Sequence, residues 1–406
     1  MRVLVLSQYF WPESFRINEV VQSLTERGIP VDVLTAKPNY PEGKVFPPYR
    51  AWGWLQEQWQ GARIFRLPIF PRGRKSGIRL ALNYLSFVVA GLLLGPWLLR
   101  SSRPDVIFVY APSPLLQALP ALLLGRLRGV PLAIHVQDLW PESIQATGYV
   151  RNRLVIGMVD VLVGFIYRHS DLLLVSSRPF AQAIQRYKPR APVVYFPNSV
   201  EDTFCDPHSG LKPEVPALDE GFAVTFAGNV GSAQAVEVIV KAAEILRSHA
   251  GIRLVVLGSG NMLDWMQEEK ERLGLDNLFL AGRFPSQAMP WLLSKSDALL
   301  VTLADRPILA ATVPNKIQAY MAVGRPIIAS MRGEGARLVI EAGAGIAVPA
   351  EDGEALAVAI LQMERMPPGE RDVMGSNARK YYQNNFNHDQ LIGQLIEYLG
   401  NLMEKQ

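Results

Sequence analysis

Apolar residues along this chain fall into two alternating patterns: short continuous runs, and longer stretches at helical spacing. Residues 3–6 form the first run and lead through a loop to a stretch in which Ile17, Val20, Val21 and Leu24 share one helical face, closed by Gly28. Runs at 31–35, 106–110, 132–136, 172–175 and 193–196 follow, with helical patterns at 115–127 and around 154–167 between them. From 198 to 221 the chain turns polar, carries Pro207, Pro213 and Pro216, and shows no period, as an interdomain linker would. The alternation then restarts with runs at 223–227, 254–257, 278–281, 298–303 and 327–330, and with Val236, Ile239, Val240 and Ala243 at helical spacing. Continuous apolar strands alternating with helices predict α/β architecture: parallel sheets covered on both faces, in two doubly wound Rossmann-like domains. The expected domains are 1–200 and 221–380, with 381–406 a helix packing back towards the first. Ligands in such sheets bind beyond the carboxyl ends of the strands.

Between 80 and 99 lies the most apolar segment, interrupted only by Asn83, Ser86, Gly91, Gly95 and Pro96. A membrane span, a buried helix and a helix lying in the bilayer interface all fit its length. The basic run Arg72, Arg74, Lys75 and Arg79 before it, and Arg100 after it, favour the interfacial version.

Charge sharpens this reading. Residues 1–200 carry 23 Lys and Arg against 11 Asp and Glu, while 201–406 carry 18 against 26. A basic first half predicts an anionic partner, either a membrane surface or a phosphorylated acceptor. Nucleic acid is not expected, because the basic residues are not interleaved with aromatics in a recognised binding motif. The single cysteine, Cys205, excludes an internal disulfide and fits a reducing compartment. No signal peptide is read before the first strand, so the cytoplasm is the default expectation.

Candidate chemistry clusters in the loops after strands. In the second domain, Gly228, Asn229 and Gln234 belong to a glycine loop running into a helix, and Gly258–Ser259–Gly260 is a second glycine loop. Arg283 and Phe284 follow the third run, and Arg306 precedes the stretch Val313–Pro314–Asn315–Lys316–Ile317–Gln318. That stretch opens a short helix, with Asn315 as the expected N-cap and Gly324 as its stop. Lys316 and the free amides of the first turn would then form an anion site suited to a diphosphate. In the first domain, the loop after residue 6 carries Glu13 and leads to Arg16, while His135 and Asp138 follow the 132–136 run. A histidine at a strand end is as often a satisfied core residue; a carboxylate three positions on moves the reading towards function. No Asp-x-Asp pair, zinc spacing, Walker loop or Gly-x-Ser-x-Gly elbow is present, and Ser7–Gln8–Tyr9 stands where a dinucleotide fingerprint would need glycines.

Together these loops, with Gly324–Arg325–Pro326, resemble the GT-B glycosyltransferases of family 4. The segments Tyr9–Phe10–Trp11–Pro12–Glu13, Lys37–Pro38–Asn39–Tyr40–Pro41–Glu42–Gly43 and Gln137–Asp138–Leu139–Trp140–Pro141 narrow the resemblance. They are similar to bacterial transferases of O-antigen, capsule and colanic-acid assembly, including N-acetyl-L-fucosamine transferases. The resemblance implies a GT-B fold whose two domains face each other across a cleft. It also implies retaining transfer of an N-acetylated or deoxy-hexose from a nucleotide sugar, of UDP type, with no metal or other cofactor. The implied acceptor is a sugar on polyprenyl diphosphate, at the cytoplasmic face of the inner membrane. Arg283 and Lys316 would neutralise the leaving diphosphate. Arg16, His135 and Asp138 would orient acceptor and donor sugar, with Glu13 the other carboxylate at hand. The chain departs from the pattern by carrying Ala310 and Gln318 where two glutamates are usual, Asn229 and Gln234 where Arg and Lys are usual, and Gln137 where His is common. A nucleotide-sugar 2-epimerase of the same fold, and a non-catalytic relative acting as an assembly partner, are the alternatives.

Overall fold

The computed structural model describes residues 1–73, 76–147 and 152–404, so Arg74 and Lys75 of the basic run lie outside the described residues. The chain divides into two compact units, Met1–Pro197 with Asp389–Gln406, and Asn198–His388.

The first unit is built on β1 (Val3–Leu6), β2 (Val31–Ala36), β3 (Leu55–Trp59), β4 (Ala62–Leu67), β5 (Val106–Ala111), β6 (Leu132–Val136), β7 (Leu172–Val175) and β8 (Val193–Tyr195). They lie in the order β3-β4-β2-β1-β5-β6-β7-β8. All pairings are parallel except β3 with β4. The second unit carries β9 (Phe222–Asn229), β10 (Ile252–Ser259), β11 (Leu278–Gly282), β12 (Ala298–Thr302), β13 (Ile327–Ser330) and β14 (Gly345–Val348), all parallel, in the order β11-β10-β9-β12-β13-β14. The doubly wound expectation is met in both units. Strand order reverses between β1 and β5 in one sheet and between β9 and β12 in the other, which places a ligand crevice at the carboxyl ends of those strands.

Central strands are buried along their whole length because helices cover both faces: β1, β5, β6 and β12 have no exposed residue. β4 was not predicted, because Arg63 and Arg66 interrupt its apolar residues, and neither was β3, whose Leu-Gln-Glu-Gln-Trp is polar and mostly exposed at the sheet edge. It exists because Gln60 and Gly61, both at positive φ, fold it back onto β4. β14 was also missed; its four residues start on Gly345, where a Cβ would lie 1.8 Å from the Ile327 carbonyl.

Two further expectations change. The polar stretch 198–221 packs Val200, Val215, Ala217 and Leu218 into the core of the second unit; its prolines hid these apolar anchors. The helix expected over 80–99 runs over Gly77–Leu98, because Ser76 caps it by accepting the Arg79 N–H at 3.3 Å.

The last helix, His388–Met403, carries Leu391, Ile392, Leu395, Leu399 and Leu402 into the core formed by β1, β2 and β5. Leu395 has no exposed surface. Leu395→Ala is expected to lower unfolding free energy by about 2–5 kcal/mol, read by urea denaturation.

Candidate functional site

In the second unit, helix Asn315–Val323 has Pro314 as its N-cap, and Asn315 is its first helical residue. The expected Asn315 cap is therefore corrected: its side chain points away and accepts a hydrogen bond from Asn198 at 3.0 Å. Pro314 enters the helix through its carbonyl, which accepts the Ile317 N–H at 2.9 Å, and no side chain caps the first turn. Gly324, at φ +78°, ends the helix as predicted. Tyr320 sets the helix against the sheet: its hydroxyl accepts the Ala227 N–H at 3.0 Å and faces the Leu300 carbonyl at 3.3 Å.

This anchoring places Lys316 beneath the end of β9. Its ammonium lies 3.8 Å from the centroid of the Phe226 ring. It is buried and, among the described residues, has no hydrogen-bond partner. A Cβ at Gly228 would stand 3.4 Å from it, and Gly228 has φ +132°, a conformation open to glycine alone. Burial pulls the ammonium from its ordinary 10.5 down to about 7. A buried cation that meets only an aromatic face is short of an anion.

The other loops divide. Asn229 donates to Gln234 at 3.2 Å beside Gly231, so the first glycine loop is closed by amides. Gly258 and Gly260 are glycines for an ordinary structural reason. A Cβ on either would meet the Gly228 carbonyl at 1.8 Å or the Val230 carbonyl at 2.1 Å. Arg306 is exposed after β12, the neighbour of β9, whereas Arg283 is exposed after the outer strand β11, two strands from β9. Phe284 packs against the core. Gln318 is buried; with its amide oriented by its neighbours, it donates to the Pro314 and Asn315 carbonyls at 3.1 and 3.2 Å and so serves its own helix.

In the first unit the four candidates separate. Glu13 is buried, and its Oε1 accepts the backbone N–H of Asn39 and of Tyr40, both at 2.7 Å, while Oε2 accepts that of Phe10 at 3.2 Å. Burial raises its carboxyl to about 7 against the pull of these donors. Glu13 is thus a fastener between the loops after β1 and β2. His135 is buried among Phe108, Tyr110 and Phe196, and its Nε2 lies 3.0 Å from the Phe196 carbonyl. Burial lowers it to about 4, so the ring is neutral: the core-histidine reading describes it better than a catalytic one.

Asp138 is half-buried, two residues beyond β6. Its Oδ2 accepts the Ser113 hydroxyl at 2.7 Å, and Ser113 Oγ accepts the Trp140 indole N–H at 3.1 Å. Burial raises its carboxyl above the ordinary value. Arg16 is half-buried at the start of helix Ile17–Glu26, close enough to the Tyr110 hydroxyl to influence it. Ser113 was not singled out in the sequence; its place just after β5, at the strand-order reversal, was the available signal. Among the described residues no three His, Cys, Asp or Glu side chains gather as a metal site.

Comparison with known proteins fits this geometry. Residues 14–199 match the glycosyl transferase 4-like domain, and residues 221–365 match the glycosyl transferases group 1 family. The chain is 25% identical over 420 residues to a protein of Escherichia coli named as a colanic acid biosynthesis glycosyl transferase, WcaI, covering 98% of this chain and 99% of the relative. Among solved structures, sucrose-phosphate synthase from Thermosynechococcus elongatus superposes with a TM-score of 0.77 at 18% identity, over 100% of both chains. Anabaena Alr3699/HepE in complex with UDP does so with a TM-score of 0.68 at 14% identity, over 99% of this chain and 100% of that one. At these identities the structures speak for the fold.

Glu13→Gln would turn an NH2 group towards the Phe10 N–H. It is expected to cost about 1–3 kcal/mol of stability, measured by chemical denaturation.

Proposed function

Since the chain belongs to the GT-B glycosyltransferases, as its two successive transferase domains and its fold establish, we propose that it transfers an N-acetylated or deoxy-hexose, with retention and without a metal, from a UDP-linked donor to a lipid-linked oligosaccharide precursor of a surface polysaccharide. The observation that carries this reading is the buried Lys316 ammonium with no hydrogen-bond partner among the described residues. A diphosphate brought over Gly228 supplies the missing anion and hydrogen-bond acceptors. The UDP named for HepE, and the colanic acid biosynthesis named for the Escherichia coli relative, support the donor and acceptor classes.

In the proposed reaction the bond from the anomeric carbon to the diphosphate oxygen breaks while the acceptor oxygen bonds that carbon. Lys316 takes the charge growing on the leaving diphosphate, with the exposed Arg283 as a second cation. The departing phosphate receives the acceptor proton on the same face, so no protein nucleophile is required. Asp138, held by Ser113, and Arg16 position the acceptor. His135 and Glu13 are assigned no proton transfer, because the Nε2 of His135 meets the Phe196 carbonyl and the Gln137 amide and both carboxylate oxygens of Glu13 accept backbone N–H groups.

Thermal shift with UDP, GDP, ADP and dTDP tests this reading. UDP at a hundredfold excess over its Kd is expected to stabilise the protein by about 2.7 kcal/mol, and Lys316→Met to abolish the response while keeping the fold. No response to any nucleotide at millimolar concentration would favour the non-catalytic alternative, and a larger response to GDP would reassign the donor. Activity that survives EDTA is expected.

Lys316 also predicts a pH effect. Between about 7 and 10.5 the unfolded chain holds this proton and the folded one does not, so stability of the empty protein rises with pH across that window. Lys316→Met should remove that rise in denaturation curves. UDP binding at pH 8 should take up protons, read by calorimetry in buffers of different ionisation enthalpy.

A further inference from the structure

Three helices of the first unit cover the side of the sheet that carries no part of the last helix. They are Gly77–Leu98, Ala118–Arg128 and Arg153–Arg168, with the middle one packed against both others. The outer two are amphipathic in an inverted sense. Helix Gly77–Leu98 exposes Ile78 (76%), Leu85 (52%) and Leu93 (72%) along one stripe, and helix Arg153–Arg168 exposes Leu154 (79%), Met158 (61%) and Val161 (66%). Contiguous apolar surface of this kind on a water-facing helix layer marks an interaction site.

Helix Gly77–Leu98 has the length and composition of a membrane span, but its inner face is fixed to its own unit. Asn83, wholly buried, accepts from Gln8 at 2.7 Å and donates to the Phe70 carbonyl at 2.7 Å and to Asn39 at 3.2 Å. Gly91 lies so close to Pro120 that a Cβ would meet its ring at 2.6 Å. A helix held in this way lies flat against the sheet and offers a face, not a crossing.

Charge selects the partner. Exposed Arg79, Arg126, Arg153 and Arg168 stand on these helices, and their one acid, Asp160, is engaged by the Tyr187 hydroxyl at 2.5 Å and by Arg186 at 3.3 Å. Beside the far end of Gly77–Leu98, Trp54 and Trp97 pack edge to face at 5.5 Å, both about half exposed, with Arg100 over Trp97 at 4.8 Å. Apolar stripes with arginines and tryptophans beside them match a headgroup region over acyl chains. We propose that helices Gly77–Leu98 and Arg153–Arg168 together form a two-helix surface that lies in the interface of an anionic bilayer. Helix Arg153–Arg168 is the part that the hydropathy of the sequence did not reveal. This surface does not depend on the transferase reading.

The test uses the full chain and vesicles of phosphatidylcholine, with or without about a third phosphatidylglycerol. The protein is expected to sediment with the anionic vesicles and to stay largely in solution with the neutral ones. The triple variant Leu154→Gln, Met158→Gln, Val161→Gln should partition about tenfold more weakly, with an unchanged melting curve by circular dichroism. Those side chains are exposed, so the fold does not rest on them. If the variant fails to fold, quenching of tryptophan fluorescence in the native protein by brominated lipid decides, with quenching expected. The proposal is overturned by a folded variant that sediments like the native protein, by native protein that ignores both vesicles, or by an unquenched spectrum. It is also overturned if light scattering without lipid shows a dimer that the variant dissolves, which would assign the surface to a second copy.

Discussion

A lysine ammonium enclosed against an aromatic ring, with no oxygen to receive its hydrogens, is a state the folded chain holds at a cost. The local structure of the second unit is consistent with that constraint. Tyr320 ties the helix to β9 and β12, and Gly324 ends it one turn later. Gly228 leaves the space above the ammonium clear, and the glycines at 258 and 260 let the neighbouring loop pass beneath. Free energy withheld in this way from the empty protein is available when an anion arrives, the usual economy of a preorganised binding site.

The first unit uses its polar residues differently. Gln8, Asn39, Asn83 and Gln117 bond to one another or to the backbone between the sheet and its longest helix, and Glu13 bridges two loops. These groups tie the loops after β1, β2 and β5 to one another and to that helix. Separating such structural groups from candidate site residues needed hydrogen-bond partners, because both kinds of residue sit in the same loops after the same strands.

Much of the architecture could be read directly from the chain, since parallel strands buried on both faces announce themselves as unbroken apolar runs. β3, β4 and β14 could not: the first is polar at an edge, the second is broken by two arginines, and the third is glycine-led. The helix at 315 and its glycine stop were legible from spacing and composition, while the identity of its cap turned on a choice between two adjacent residues. Lys316 was legible as a cation near a helix start, but its isolation was not, because that depends on Phe226, ninety positions earlier in the chain. His135 shows the converse: a strand-end histidine near a carboxylate suggests chemistry until the three rings and the carbonyl around it are seen. The second amphipathic helix was legible as a helical pattern, but its exposed apolar stripe was not, because spacing alone does not say which face the rest of the unit covers.

The last helix belongs to the core of the first unit, and this bears on how the chain is made. When the ribosome has finished residue 197, the sheet it has produced still lacks the five apolar side chains that line it from residues 391–402. The nascent first unit must wait, with part of its interior open, while the whole second unit is translated and folds. Loss of the helix His388–Met403 would therefore damage the half of the protein that was synthesised first.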